Sequence, residues 1–139
     1  MIIEVLAAFV GTLAFSVFYN VSKRELLFCG TVGGISWTVY LFVNAFIHDS
    51  IFSCFFAAIV ISVISHILSR VRKNPVTIYQ IGGIFPLVPG AGMYKTLYYI
   101  VNEDYTLSTY YLYESLQIAG GIAVAMILIA SLNNLLIKR

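Results

Sequence analysis

Five apolar runs, at about 2 to 19, 26 to 47, 51 to 69, 76 to 101 and 109 to 137, are separated only by short polar turns. Each approaches or exceeds the roughly 18 to 20 residues that cross a hydrocarbon core as a helix. The pattern predicts an all-α integral membrane protein, a bundle of about five transmembrane helices making one transmembrane domain over 1–139. Lys23 and Arg24 follow the first run, Arg70, Arg72 and Lys73 the third, and Lys138 and Arg139 the fifth. The turns around His48-Asp49 and Asn102-Glu103-Asp104 hold no Lys or Arg. An excess of basic residues marks the cytoplasmic face, so the N-terminus is expected outside and the C-terminus inside. The opening MIIEVLAAFVG has no basic residue ahead of its apolar run and is expected to be a retained span rather than a cleaved signal peptide.

The fourth run departs from the pattern. Its segment IGGIFPLVPGAGMYKT, Ile81 to Thr96, carries four glycines and two prolines. Pro86 and Pro89 each lack an amide hydrogen and clash with the preceding turn, and Gly90 and Gly92 allow backbone angles that other residues avoid. The segment predicts a helix interrupted at Pro86–Gly92, with a half-helix on either side. Backbone groups freed at that depth are costly against lipid, so the gap belongs inside protein or beside a wet cavity. Discontinuous membrane helices of this kind offer the N-terminal amides and positive end of the second half-helix to an anion.

Two charges lie within the apolar runs. Lys95 stands about six residues before the end of the fourth and Glu114 about five residues into the fifth. They are expected either to act structurally, with Lys95 reaching the surface beside Tyr98 and Tyr99 or pairing with Glu114, or to hold a substrate. In the second case Lys95 and the half-helix N-terminus take a carboxylate, and Glu114 takes an ammonium group or a coupling proton. Glu114, Gln117 and Gly121 share one helix face by spacing, and Gln80 precedes the pair Gly82-Gly83, where it could bond a ligand or a freed carbonyl. His66, on the third run after Ser62 and Ser65, is expected to be a hydrogen-bonded structural residue. Seven of the ten tyrosines, Tyr94, Tyr98, Tyr99, Tyr105, Tyr110, Tyr111 and Tyr113, gather where the fourth and fifth runs meet the outer face, as in an interfacial aromatic belt.

Composition narrows the function. Residues are 60% hydrophobic, and eight Lys and Arg with six Asp and Glu cannot supply the polar surface of a soluble domain. A net charge of +2 without a basic stripe argues against nucleic acid. Cys29 and Cys54 lie in apolar runs without metal-ligand spacing and are expected to be buried small hydrophobes. Gly90 to Thr96 lacks the glycine that a phosphate-binding loop needs before its lysine, Tyr94 standing there instead, so no nucleotide is expected. No cofactor, metal or enzymatic constellation is expected either. Small residues at four-residue spacing, Ala7 and Gly11, Gly30 and Gly34, Gly121 and Ala125, let helix backbones approach closely, within the chain or between subunits. So small a bundle is expected to work as a homo- or hetero-oligomer.

The stretch GIFPLVPGAGMY, Gly83 to Tyr94, resembles the signature of the threonine/serine exporter family in its small-subunit, C-terminal-half form. Length, five-run layout and the late position of the motif are similar too. The resemblance implies a multi-pass protein of the bacterial cytoplasmic membrane and a larger membrane subunit of the same family carrying the other half. If a five-span partner half preceded this one in a fused chain, the two would run in opposite senses, an inverted pair suited to alternating access. The expected function is a subunit of a secondary transporter exporting a small carboxylate-bearing solute, threonine or serine first. The alternatives are a dicarboxylate exporter subunit and a non-transporting scaffold for the partner. The substrate-binding candidates are Gln80, Gly83, Pro86, Pro89, Gly90, Gly92, Tyr94, Lys95, Glu114 and Gln117.

Overall fold

The computed structural model describes residues 1–137; Lys138 and Arg139, which enter the charge argument above, lie outside the described residues. The chain forms α1 (Ile2–Phe18), α2 (Lys23–Ile47), α3 (Ser50–Arg72), α4 (Val76–Ile84), a 3-10 turn (Phe85–Leu87), α5 (Gly90–Val101) and α6 (Tyr105–Ile137). Of these, α2, α3 and α6 are each long and apolar enough to cross a membrane, and α4 with α5 makes a fourth crossing if the bent pair is one span. With 17 residues, α1 is a shorter apolar helix. The last apolar run enters its helix earlier than expected. Asp104 accepts the Leu107 amide at 3.2 Å and so caps α6 at Tyr105, which sets Glu114 nearly three turns into the helix.

The turns are tight because one residue in each takes the left-handed conformation: Asn20, His48, Lys73 and Glu103 have φ of 53° to 59°. At His48 the turn is followed at once by Asp49, whose carboxylate accepts the Ile51 amide at 2.8 Å and starts α3.

Close packing explains most of the small residues. A Cβ on Gly30 would meet Leu13 and Phe9 of α1 at 2.9 Å, and one on Gly33 would overlap Thr12, so α1 lies close along the glycines of α2. The half-helix α4 settles against α1, α2 and α3. Gly82 faces Cys29 of α2, and a Cβ on Gly83 would lie 2.5 Å from Ile61 and 2.7 Å from Val32. The core gathers Val32, Ala57, Ala58, Ile61, Leu87, Ile118, Ile122 and Ala125 around α3, the best enclosed helix. Cys29 and Cys54 are free and buried, as their apolar setting required. On the far side α5 packs on α6, knit to it by the Ser108 hydroxyl, which donates to the Thr96 carbonyl at 3.1 Å, and by Tyr99 stacked on Tyr111 at 5.6 Å.

Candidate functional site

Proline chemistry sets where the fourth crossing breaks. α4 stops at Ile84, the 3-10 turn carries Phe85–Leu87, Val88 turns extended at φ −59° and ψ 128°, and Pro89 opens α5. The two half-helices meet at 49°. The Gly90 amide donates to the Val88 carbonyl at 2.7 Å and the Met93 amide to the Pro89 carbonyl at 3.1 Å. Between them the amides of Ala91 and Gly92 keep no carbonyl partner among the described residues, as in the first turn of any helix.

The expectation for the glycines needs correcting. No glycine has a positive φ, and Gly90 and Gly92 belong to the first turn of α5 rather than to the gap. Gly92 is small because a Cβ there would overlap the Ser115 hydroxyl of α6, so its role is close approach between helices; around Gly90 a Cβ would meet nothing within 4 Å.

A cavity of about 250 Å³ opens beside the break. One wall is the segment from Pro86 through Pro89, Gly90 and Gly92 to Lys95, and the facing wall is Tyr111 and Glu114 of α6. Trp37 and Tyr40 of α2, stacked at 4.8 Å, line it as well. Lys95 does not pair with Glu114; it is exposed and joins the tyrosine cluster through Tyr111, which stacks on Tyr99. Its ammonium lies 4.9 Å from the centre of the Tyr111 ring, a cation–π contact, and no ion pair joins it to Glu114 among the described residues. The positive end of α5, one cation, one carboxylate and aromatic walls therefore share one space.

Six of the ten candidate residues are brought together there: Pro86, Pro89, Gly90, Gly92, Lys95 and Glu114. Gln117 falls outside, in an adjoining cavity of about 450 Å³ with His48, Asp49 and Tyr110, and Glu114 borders both spaces. Gln80 is half-buried on α4 away from either cavity, Gly83 is spent on packing against Ile61 and Val32, and Tyr94 is 68% exposed on the outer side of α5.

One polar cluster escaped the sequence. Glu25, in the first turn of α2, is buried and receives Arg72 in a two-pronged contact, Nη2 to Oε1 at 2.8 Å and Nε to Oε2 at 3.2 Å. The Tyr79 hydroxyl donates to Oε2 at 2.6 Å, and Phe28 supports the guanidinium at 4.4 Å. This cluster ties α2, α3 and α4 at the end of the bundle opposite the cavity. It also brings the basic turns after α1 and α3 to the same end of the bundle.

Against this geometry stands one comparison. The family model described as threonine/serine exporter, ThrE, matches residues 4–132. The chain belongs to the threonine/serine exporter family. No curated protein and no solved structure matches it. Family and fold together give a multi-pass membrane protein with an amino-acid exporter role, a transporter class rather than an enzyme class.

Proposed function

We propose that this exporter chain is one subunit of a secondary transporter that moves a small zwitterion, threonine or serine first, through the cavity beside the α4–α5 break. One observation carries the reading: Lys95, Glu114 and the first turn of α5 at Ala91 and Gly92 line the same space, with no ion pair on Lys95 among the described residues. An amino acid presents a carboxylate and an ammonium a few ångströms apart. The carboxylate suits the α5 N-terminus and Lys95, and the ammonium suits Glu114 and the face of Tyr111. A dicarboxylate would find the first half of that site and be repelled by the second unless Glu114 were protonated.

The moving part in this reading is the hairpin of α5 and the first half of α6. α4 packs on α1, α2 and α3, whereas α5 packs on α6, which itself packs on α3, so the break joins half-helices with different packing partners. Along α6, Ser115 touches α5 while Ile118, Ile122 and Ala125 join the α3 core, and Gly120-Gly121 lies among those core residues. Swinging the hairpin about the break and the glycine pair opens or shuts the cavity, with a proton or solute gradient as the drive. The chain sits in a bacterial cytoplasmic membrane, N-terminus outside, beside a larger family subunit of opposite sense.

The test is counterflow of labelled threonine in liposomes holding the chain and its partner subunit. Lys95→Ala and Glu114→Gln are expected to abolish uptake while the complex still assembles, and unlabelled threonine is expected to compete where succinate does not. Unchanged transport in both variants sinks the site, and competition by succinate alone transfers the assignment to dicarboxylates.

A further inference from the structure

The face opposite the cavity carries a second, chemically different groove. Between α3 and α6 lies a cavity of about 240 Å³ walled by Val63, Ile67, Ile129, Leu132 and Leu136, with Arg70 at its end. Val63, Ile67, Leu132 and Leu136 are all exposed, so the groove opens to whatever surrounds the bundle. Its polar end is built. Asn133 Oδ1 accepts from the Arg70 guanidinium, and Asn133 Nδ2 meets His66 Nδ1 at 3.1 Å, which fixes the amide between the two helices and holds Arg70 over the groove.

Arg70 differs from its neighbour Arg72 in charge balance. Arg72 is saturated by Glu25 and backed by Phe28, whereas the only side chain bonded to Arg70 among the described residues is a neutral amide. None of the six Asp and Glu side chains pairs with Arg70 or lines the groove. An aliphatic trough takes a hydrocarbon chain, and a guanidinium with no acidic partner among the described residues takes a phosphodiester. The trough also lies on the basic face, where anionic lipid headgroups and basic pockets between membrane helices meet.

We infer that the α3–α6 groove binds one anionic phospholipid, its phosphate on Arg70 and an acyl chain along Ile67, Ile129 and Leu132. The inference is independent of the transport site, because it uses neither the break nor Glu114. The phosphate alone is not enough: the aliphatic walls make the ligand a lipid rather than a free anion.

The purified chain is to be carried from nanodiscs of phosphatidylglycerol, of phosphatidylcholine, or of phosphatidylcholine with added inorganic phosphate into native mass spectrometry. The expected result is one retained phosphatidylglycerol per chain and no comparable retention in the other two arms. Arg70→Gln should weaken retention on the order of tenfold, the weight of a charge-assisted hydrogen bond. Lys73→Gln, which removes the same charge from the same face, should leave it unchanged. Leu132→Phe fills the trough without touching the charge and should abolish retention, which keeps the test decisive if Arg70→Gln does not fold. Equal retention of the two lipids, loss of retention in Lys73→Gln as large as in Arg70→Gln, or full retention in Leu132→Phe overturns the assignment.

Discussion

Removing Arg72 strands a carboxylate, whereas removing Glu25 strands a guanidinium that water already reaches. The side chains are 34% exposed for Arg72 and 7% for Glu25, so the two halves of one ion pair are not equivalent. Deleting the more exposed partner leaves the enclosed carboxylate without its counter-charge. Arg72→Ala is therefore expected to destabilise the protein, and Glu25→Gln by clearly less, since Arg72 can turn outward. Thermal unfolding in detergent measures both, and equal losses contradict the asymmetry. The sequence held no sign of this cluster. Arg72 looked like one more cytoplasmic-face charge because its partners stand 47 and 7 positions away and only folding brings Glu25, Arg72 and Tyr79 together. Lys95 teaches the same lesson differently. Its unusual depth was legible, but its seat on Tyr111 depends on how α5 lies against α6.

At the scale of elements, glycines divide by what surrounds them. Gly83 and Gly92 are required because neighbouring side chains occupy the space a Cβ would need. Around Gly120 a Cβ would meet nothing within 4 Å, and around Gly121 only Phe55 at 4.0 Å, yet both sit mid-helix in α6. Glycine weakens a helix interior by about 1 kcal/mol relative to alanine, and packing does not demand it here. In the proposed mechanism the pair supplies the bending that the hairpin motion needs. Gly120→Ala with Gly121→Ala should leave stability unchanged or raise it, by up to about 1 kcal/mol per site, while slowing threonine counterflow severalfold. Unimpaired transport in a protein that melts no lower removes the second hinge from the mechanism. The first hinge was readable as a break from Pro86 and Pro89 alone, since a missing amide and a ring clash act locally. That α4 meets α1, α2 and α3 while α5 meets α6 was not readable, because it depends on which helix each one faces.

For the whole molecule, the cavity is bounded by two aromatic residues of α2 and by the α5–α6 hairpin, and large apolar side chains cover much of the outside: Phe42, Phe46, Val124, Ile127 and Leu128 are all exposed. In the proposed reading, one thin bundle supplies one side of a transport path. The chain reconstituted alone is accordingly expected to show no threonine counterflow, and the chain with its larger family partner to show it. Activity of the partner complex that survives Lys95→Ala would recast this chain as a scaffold.

Some of this was settled before any tertiary structure. Runs of apolar residues near the thickness of a bilayer, basic residues confined to alternate turns, and two prolines inside one run determine a helical membrane protein with a broken crossing, because each follows from local transfer energy or local backbone geometry. The fold decided what depends on distant neighbours. It put Lys95 and Glu114 into one cavity without pairing them, left Gln80, Gly83 and Tyr94 outside it, and joined Glu25 to Arg72 across three helices. Hydropathy averages over a helix's surroundings, whereas a site is made by which face of each helix meets which neighbour, and that is fixed only when the helices pack.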